Sequence, residues 1–159
     1  MCNNEREDCD CIRNRNNGRE DFDNMPRRQC GICSIQRGIR EILRGVANIE
    51  RGIRRAEQGD FCGAARNIEE GLEALRRGIR HLREGLRFTR FRMRCKERRE
   101  LEEILCDIET CITDIDEALN VFCRGDVCVA LEIIEECLDD IEEAIEELKG
   151  IIKMDISCN

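Results

Sequence analysis

Thirteen cysteines in 159 residues are the side chains best placed to do chemistry in this chain. Six lie toward its ends: Cys2, Cys9, Cys11, Cys30, Cys33 and Cys158. The other seven, Cys62, Cys95, Cys106, Cys111, Cys123, Cys128 and Cys137, are spread through the remainder. Cys30-Gly31-Ile32-Cys33 is a C-x-x-C at a predicted helix start, where the helix dipole lowers a thiol pKa. A redox motif of that kind ordinarily follows a strand in a βαβ unit, and no such pattern precedes it. Cys9, Cys11, Cys30 and Cys33 also have the ligand count of a tetrahedral zinc site, which stands as an alternative. The other reading is disulfides, favoured by a cysteine content of about 8%, near that of disulfide scaffolds. An odd total cannot pair fully within one chain, so bonds between chains are expected from the six terminal cysteines. Cys123 and Cys128 flank a predicted turn and are candidates for an internal bond.

Other chemistry is thinly supplied. His81 is the one histidine, and five Phe with no Trp or Tyr leave few aromatic platforms for bases, sugars or flavins. Catalysis is not expected, and no cofactor is implied. The net charge of −8 argues against a dedicated nucleic-acid binder, and no stretch is long and uncharged enough to cross a membrane. The first residues, Met1-Cys2-Asn3-Asn4-Glu5-Arg6-Glu7-Asp8, contain no apolar signal-like segment, so synthesis in the cytoplasm is expected.

The elements that must position these thiols are helical. Apolar residues recur at alternating spacings of three and four, the mark of a heptad seam. One seam runs through Ile39, Ile42, Val46, Ile49, Ile53 and Ala56, and a second spans 65–86. A third spans 101–122 and a fourth 131–152. The first two seams recur in the last two after a shift of about 66 residues, and Gly59-Asp60-Phe61-Cys62 falls on Gly125-Asp126-Val127-Cys128. Gly59 and Gly125 are read as helix stops, and Asp60 and Asp126 as N-caps of the helices that follow. The expected fold is all-α: an antiparallel four-helix bundle built from two tandem hairpins, 30–95 and 96–159, behind a polar, cysteine-rich arm over 1–29. The junction near Thr89 to Arg99 has neither Gly nor Pro, so a tight loop is favoured while one continuous helix stays open.

In heptad lettering with Ile39 at position a, Gly38, Gly45 and Gly52 fall at g, as do Gly71, Gly78 and Gly85. Each costs its helix about 1 kcal/mol relative to alanine. Close backbone approach is the expected compensation, either inside the bundle or in a flat groove that accepts a neighbouring subunit. None of the seven later cysteines falls at a or d, so the interior is expected to be Ile and Leu, unlike the thiol-lined core of a copper-storage bundle.

Charge is distributed unequally. Residues 27–99 hold 20 basic and 9 acidic side chains, whereas 100–159 hold 3 basic and 19 acidic. Arg37, Arg40, Arg44, Arg51 and Arg54 are placed facing outward from the first helix, and Glu132, Asp139, Glu143 and Glu146 outward from the fourth. Such faces are expected to meet between copies rather than within one, in a head-to-tail contact that closes a ring or grows a filament. The start Met1-Cys2-Asn3-Asn4 with Cys9-Asp10-Cys11 resembles the Asn- and Cys-rich N-termini of spore coat, exosporium and spore-appendage proteins of endospore-forming bacteria. That resemblance implies a structural protein, made without a signal peptide and oxidised at the spore surface. The expectation is therefore a self-assembling homopolymer, cross-linked by disulfides. The alternatives are a cytosolic zinc-binding bundle, or a helical adaptor that takes an acidic partner on its arginine-rich hairpin.

Overall fold

The computed structural model describes residues 31–89 and 95–157, and no strand occurs among them. Helix α1 is Gly31–Glu57, α2 Phe61–Thr89, α3 Cys95–Cys123 and α4 Val127–Ser157. Each runs for roughly 40–45 Å at 1.5 Å per residue. They form the antiparallel four-helix bundle, two tandem hairpins side by side. The arm and the 90–94 junction lie outside the described residues.

Both hairpin turns use one device. Gly59 and Gly125 have φ of 89° and 103°, a left-handed geometry that glycine reaches without a Cβ penalty. The Asp60 N–H donates to the Arg55 carbonyl at 2.9 Å and the Gly59 N–H to that of Ala56 at 3.0 Å. The Asp126 and Gly125 N–H groups donate in the same way to Val121 and Phe122. This double closure satisfies carbonyls that the helix end leaves open. The next helix starts at once, because Asp60 Oδ1 accepts from the Gly63 N–H at 3.0 Å and so caps α2.

All four seams converge on one core. Ile42, Ile49, Ile68, Leu72, Leu105, Ile108, Ile134 and Ile141 lose all contact with water. Burial of such side chains is worth about 1.5–3 kcal/mol each, and it holds long helices together better than propensity does.

The two hairpins are built differently. In the first, α1 and α2 touch through backbone. A Cβ built on Gly38 would lie 2.8 Å from the Gly78 carbonyl oxygen, and one on Gly45 would lie 2.7 Å from that of Gly71. One on Gly52 would lie 2.9 Å from the Ala64 oxygen, and one on Gly85 would lie 2.6 Å from that of Gly31. The ladder descends α1 in sevens as it climbs α2 in sevens, so Gly31 and Ala64 extend a pattern of which the sequence reading had only six members. All six predicted glycines are buried and face each other inside the hairpin. A glycine groove left open for a neighbouring subunit is therefore corrected. The isoleucines use the space instead, since Ile42 Cγ1 lies 2.5 Å from where a Gly78 Cβ would stand. In the second hairpin, α3 and α4 sit farther apart and meet through side chains.

The hairpins join mainly along α2 and α3. Arg83 grips Glu109 in two bonds, Nε to Oε2 at 3.1 Å and Nη2 to Oε1 at 2.7 Å. Arg76, one heptad earlier, lies 3.7 Å from Asp116, one heptad later. That register makes α2 and α3 antiparallel, so the chain turns back between them and a single continuous helix is excluded. Along this seam the basic and acidic hairpins pair within one bundle, through side chains other than the outward-facing ones of α1 and α4. At the α1/α4 seam like charges approach, and burial, then Glu50, then Asp139 raise the pKa of Glu142.

Candidate functional site

The thiols fall into three places. Both hairpin turns lie at one end of the bundle, where Phe61 packs edge-on to Phe122 with ring centroids 6.0 Å apart. Cys62 and Cys128 are free and exposed there. Phe61 and Val129, 40% and 47% exposed, stand next to them. The opposite end carries the exposed Cys33 in the first turn of α1 and the free, exposed Cys95 at the start of α3. Midway along α3, Cys106 is exposed and free. Cys2, Cys9, Cys11, Cys30 and Cys158 lie outside the described residues, so the zinc alternative keeps one described ligand, Cys33. Among the described residues no group of three or more His, Cys, Asp or Glu is placed to hold a metal ion.

Cys123 and Cys128 are not bonded to each other. Cys123 is buried, 4% exposed, and is already disulfide-bonded elsewhere, while Cys128 is a free surface thiol beyond the turn.

The third place was not foreseen. Cys111 of α3 and Cys137 of α4 are 7% and 6% exposed, and each influences the other's titration across the second hairpin. This corrects the expectation that the helical cysteines avoid the interior. The heptad lettering misled because an antiparallel pair buries its g positions along with a and d. The signal was present in the repeat, since Cys111 and Cys137 stand 66 residues after Gly45 and Gly71. Burial pushes the Cys111 thiol up to about 11, helped by Asp140 and Asp114. Burial likewise pushes Cys137 up to about 12, with Cys111, Asp114 and Asp140 adding to it. An open groove of about 370 Å³ leads to Cys111 between Asp107, Thr110, Asp114, Asp140, Glu143 and Glu147.

The charged faces lie on the outer helices. Arg40, Arg44, Arg51 and Arg54 are exposed on α1 and Arg37 is half-buried, while Glu132, Asp139, Glu143 and Glu146 are exposed on α4. Some have neighbours on their own helix. Arg44 lies 3.5 Å from Glu41, Arg51 donates to Asn48 at 2.9 Å, and Glu146 lies 3.7 Å from Lys149. Arg37 also reaches His81, which is buried in α2. Burial first, and then the Arg37 guanidinium, hold that imidazole below its ordinary pKa.

A second open groove, about 530 Å³, lies where α2 ends and α3 begins, between Arg83, Leu86, Arg87, Cys95, Arg98, Arg99 and Glu102, the last 4.0 Å from Arg83. No described helix is long and apolar enough to cross a membrane. Comparison with protein families, curated proteins and solved structures finds no match for this chain.

Proposed function

We propose that this protein is a structural subunit that assembles with copies of itself, head to tail, and is then cross-linked by disulfides at a spore or cell surface. The observation that carries the reading is the presence of accessible thiols at both ends of one rod-like bundle, Cys62 and Cys128 at the turns and Cys95 at the far end. Phe61 and Val129 add an apolar contact at the turn end. The exposed basic face of α1 and acidic face of α4 supply attraction between copies. Exposed ion pairs are worth about 0–1 kcal/mol each, so they set register and encounter rate while covalent bonds give permanence. The arm would add Cys2, Cys9, Cys11 and Cys30 to the cross-linking. On this reading the protein is not an enzyme and needs no cofactor.

Electrophoresis of air-oxidised protein, with and without reductant, tests it. The expected result is a reducible ladder that shortens when Cys62→Ser and Cys128→Ser are combined. A ladder of unchanged length in that variant would rule out the turn end as a joint.

The arginine-lined groove favours a second reading, an adaptor for an acidic partner. Heparin retention that falls in Arg87→Ala/Arg98→Ala, in a protein that stays monomeric after oxidation, would select it.

A further inference from the structure

We infer that Cys123 is bonded to one of Cys2, Cys9 and Cys11, so that the arm is fastened to the turn end of its own bundle. Cys123 is disulfide-bonded, and its partner follows by elimination. Cys62, Cys95, Cys106, Cys111, Cys128 and Cys137 are free thiols. Three more cysteines are excluded by place. Cys33 lies in the first turn of α1, Cys30 is joined directly to Gly31, and Cys158 is joined directly to Ser157 at the end of α4. Gly31 faces Gly85 near one end of α2, while Phe122, beside Cys123, faces Phe61 at the other. The helix between Phe61 and Gly85 is about 36 Å long at 1.5 Å per residue, and the Cα atoms of a disulfide stand within about 7 Å. Helix α4 likewise starts by the turn at Val127 and runs 31 residues away from it to Ser157. Cys30, Cys33 and Cys158 are therefore out of reach, and the arm holds the remaining three.

The arm is long enough. A chain spans at most about 3.3 Å per residue, so the stretch from Gly31 back to Cys11 covers up to about 66 Å, and Cys9 and Cys2 reach farther. Forming the bond takes two electrons from two protein thiols, and a small disulfide such as oxidised glutathione accepts them. One protein thiol loses its proton and displaces half of the reagent, which leaves as a thiolate and is protonated. The other protein thiol loses its proton and attacks the mixed disulfide, expelling the second half, which is protonated in turn. The resulting cross-link encloses most of the chain in one loop and stabilises chiefly by restricting the unfolded state. It also brings the arm to the end where Cys62 and Cys128 are exposed. Two of the three arm cysteines stay available for bonds between copies, so this internal bond is compatible with assembly and does not depend on it.

Peptide mapping of full-length protein, oxidised with glutathione disulfide while dilute, tests the bond. Free thiols are blocked with N-ethylmaleimide in denaturant before digestion. Cleavage after arginine and glutamate isolates Cys123 within residues 118–124, Cys2 within 1–5, and Cys9 with Cys11 within 8–13. The expected product is 118–124 joined to 1–5 or to 8–13, two hydrogens lighter than their sum and lost on reduction. In a mixture of isotope-labelled and unlabelled protein, the joined peptides should be wholly labelled or wholly unlabelled. Combining Cys2→Ser, Cys9→Ser and Cys11→Ser should leave Cys123 carrying maleimide, in a bundle that unfolds at lower urea than the oxidised wild type. Recovery of wild-type Cys123 with maleimide, or joined to residues 29–37 or 154–159, would overturn the inference. So would a joined product in which one peptide is labelled and the other is not.

Discussion

Gly45 and Gly71 face each other so closely that a Cβ built on either would stand 2.7 Å from the other's carbonyl oxygen. Real Cβ atoms do not come that near, so the first hairpin is packed backbone on backbone. The second hairpin, which holds Cys111 and Cys137 at the matching positions, is packed side chain on side chain.

Alanine at these glycines should therefore destabilise, against its helix propensity. Propensity alone favours Gly45→Ala and Gly78→Ala by about 1 kcal/mol. Each new methyl meets a backbone carbonyl as well as Leu75 or Ile42, and overpacking of that kind costs about 1–3 kcal/mol. A Cβ on Gly150 meets nothing within 4 Å, so Gly150→Ala should gain most of the propensity term. Urea unfolding of the three variants checks the opposite signs.

Alkylation rates should sort the thiols by place. With iodoacetamide at pH 8, Cys62, Cys106 and Cys128 should react quickly. Cys111 and Cys137 should react about a hundredfold or more slowly, because pKa values of about 11 and about 12 leave little thiolate. Timed quenching and peptide mapping reads each site. Similar rates for buried and surface thiols would show that the second hairpin opens readily.

The Arg83–Glu109 pair should contribute measurably but modestly. Its side chains are 40% and 41% exposed, so solvent screening holds the coupling in a double-mutant cycle to about 0.5–1 kcal/mol despite the bidentate geometry. The coupling should fall as salt rises, and neither single variant should unfold the bundle.

His81 should make stability depend on pH. Its folded pKa lies below the ordinary 6.5, so the native state resists protonation while the unfolded chain accepts it. The stability it contributes is complete above about pH 6.5 and is lost as pH falls from there through the folded value. Melting temperatures at pH 7.5 and 5.5 should differ less in His81→Gln than in the wild-type protein.

Much of the fold was legible because its signals are local and repeated. Ile39 to Ala56 and the three later seams defined four helices, and the Gly-Asp turns at 59–60 and 125–126 defined the reversals. Pairing across helices was less legible. Single-seam lettering put Cys111 and Cys137 at the edge, although the second helix of each hairpin covers that edge. The same lettering left two uses open for Gly38, Gly45 and Gly71, and the partner that settles the matter lies across the hairpin. Arg76 and Arg83 were passed over because a count of charge by hairpin does not show which helices adjoin. Cys128 is a case of distance along the chain misleading, since Cys123 is disulfide-bonded to a different cysteine and Cys128 stays free.

Negative-stain microscopy of the full-length protein after air oxidation at low salt tests self-assembly most directly. The account predicts filaments, rings or sheets with a repeat set by the roughly 40 Å bundle. They should form more slowly at 1 M salt, and once formed they should persist there until reductant is added. Removing residues 1–29 should leave a folded bundle with fewer bonds between chains. A field of separate, monomer-sized particles at low salt after complete oxidation would contradict the account.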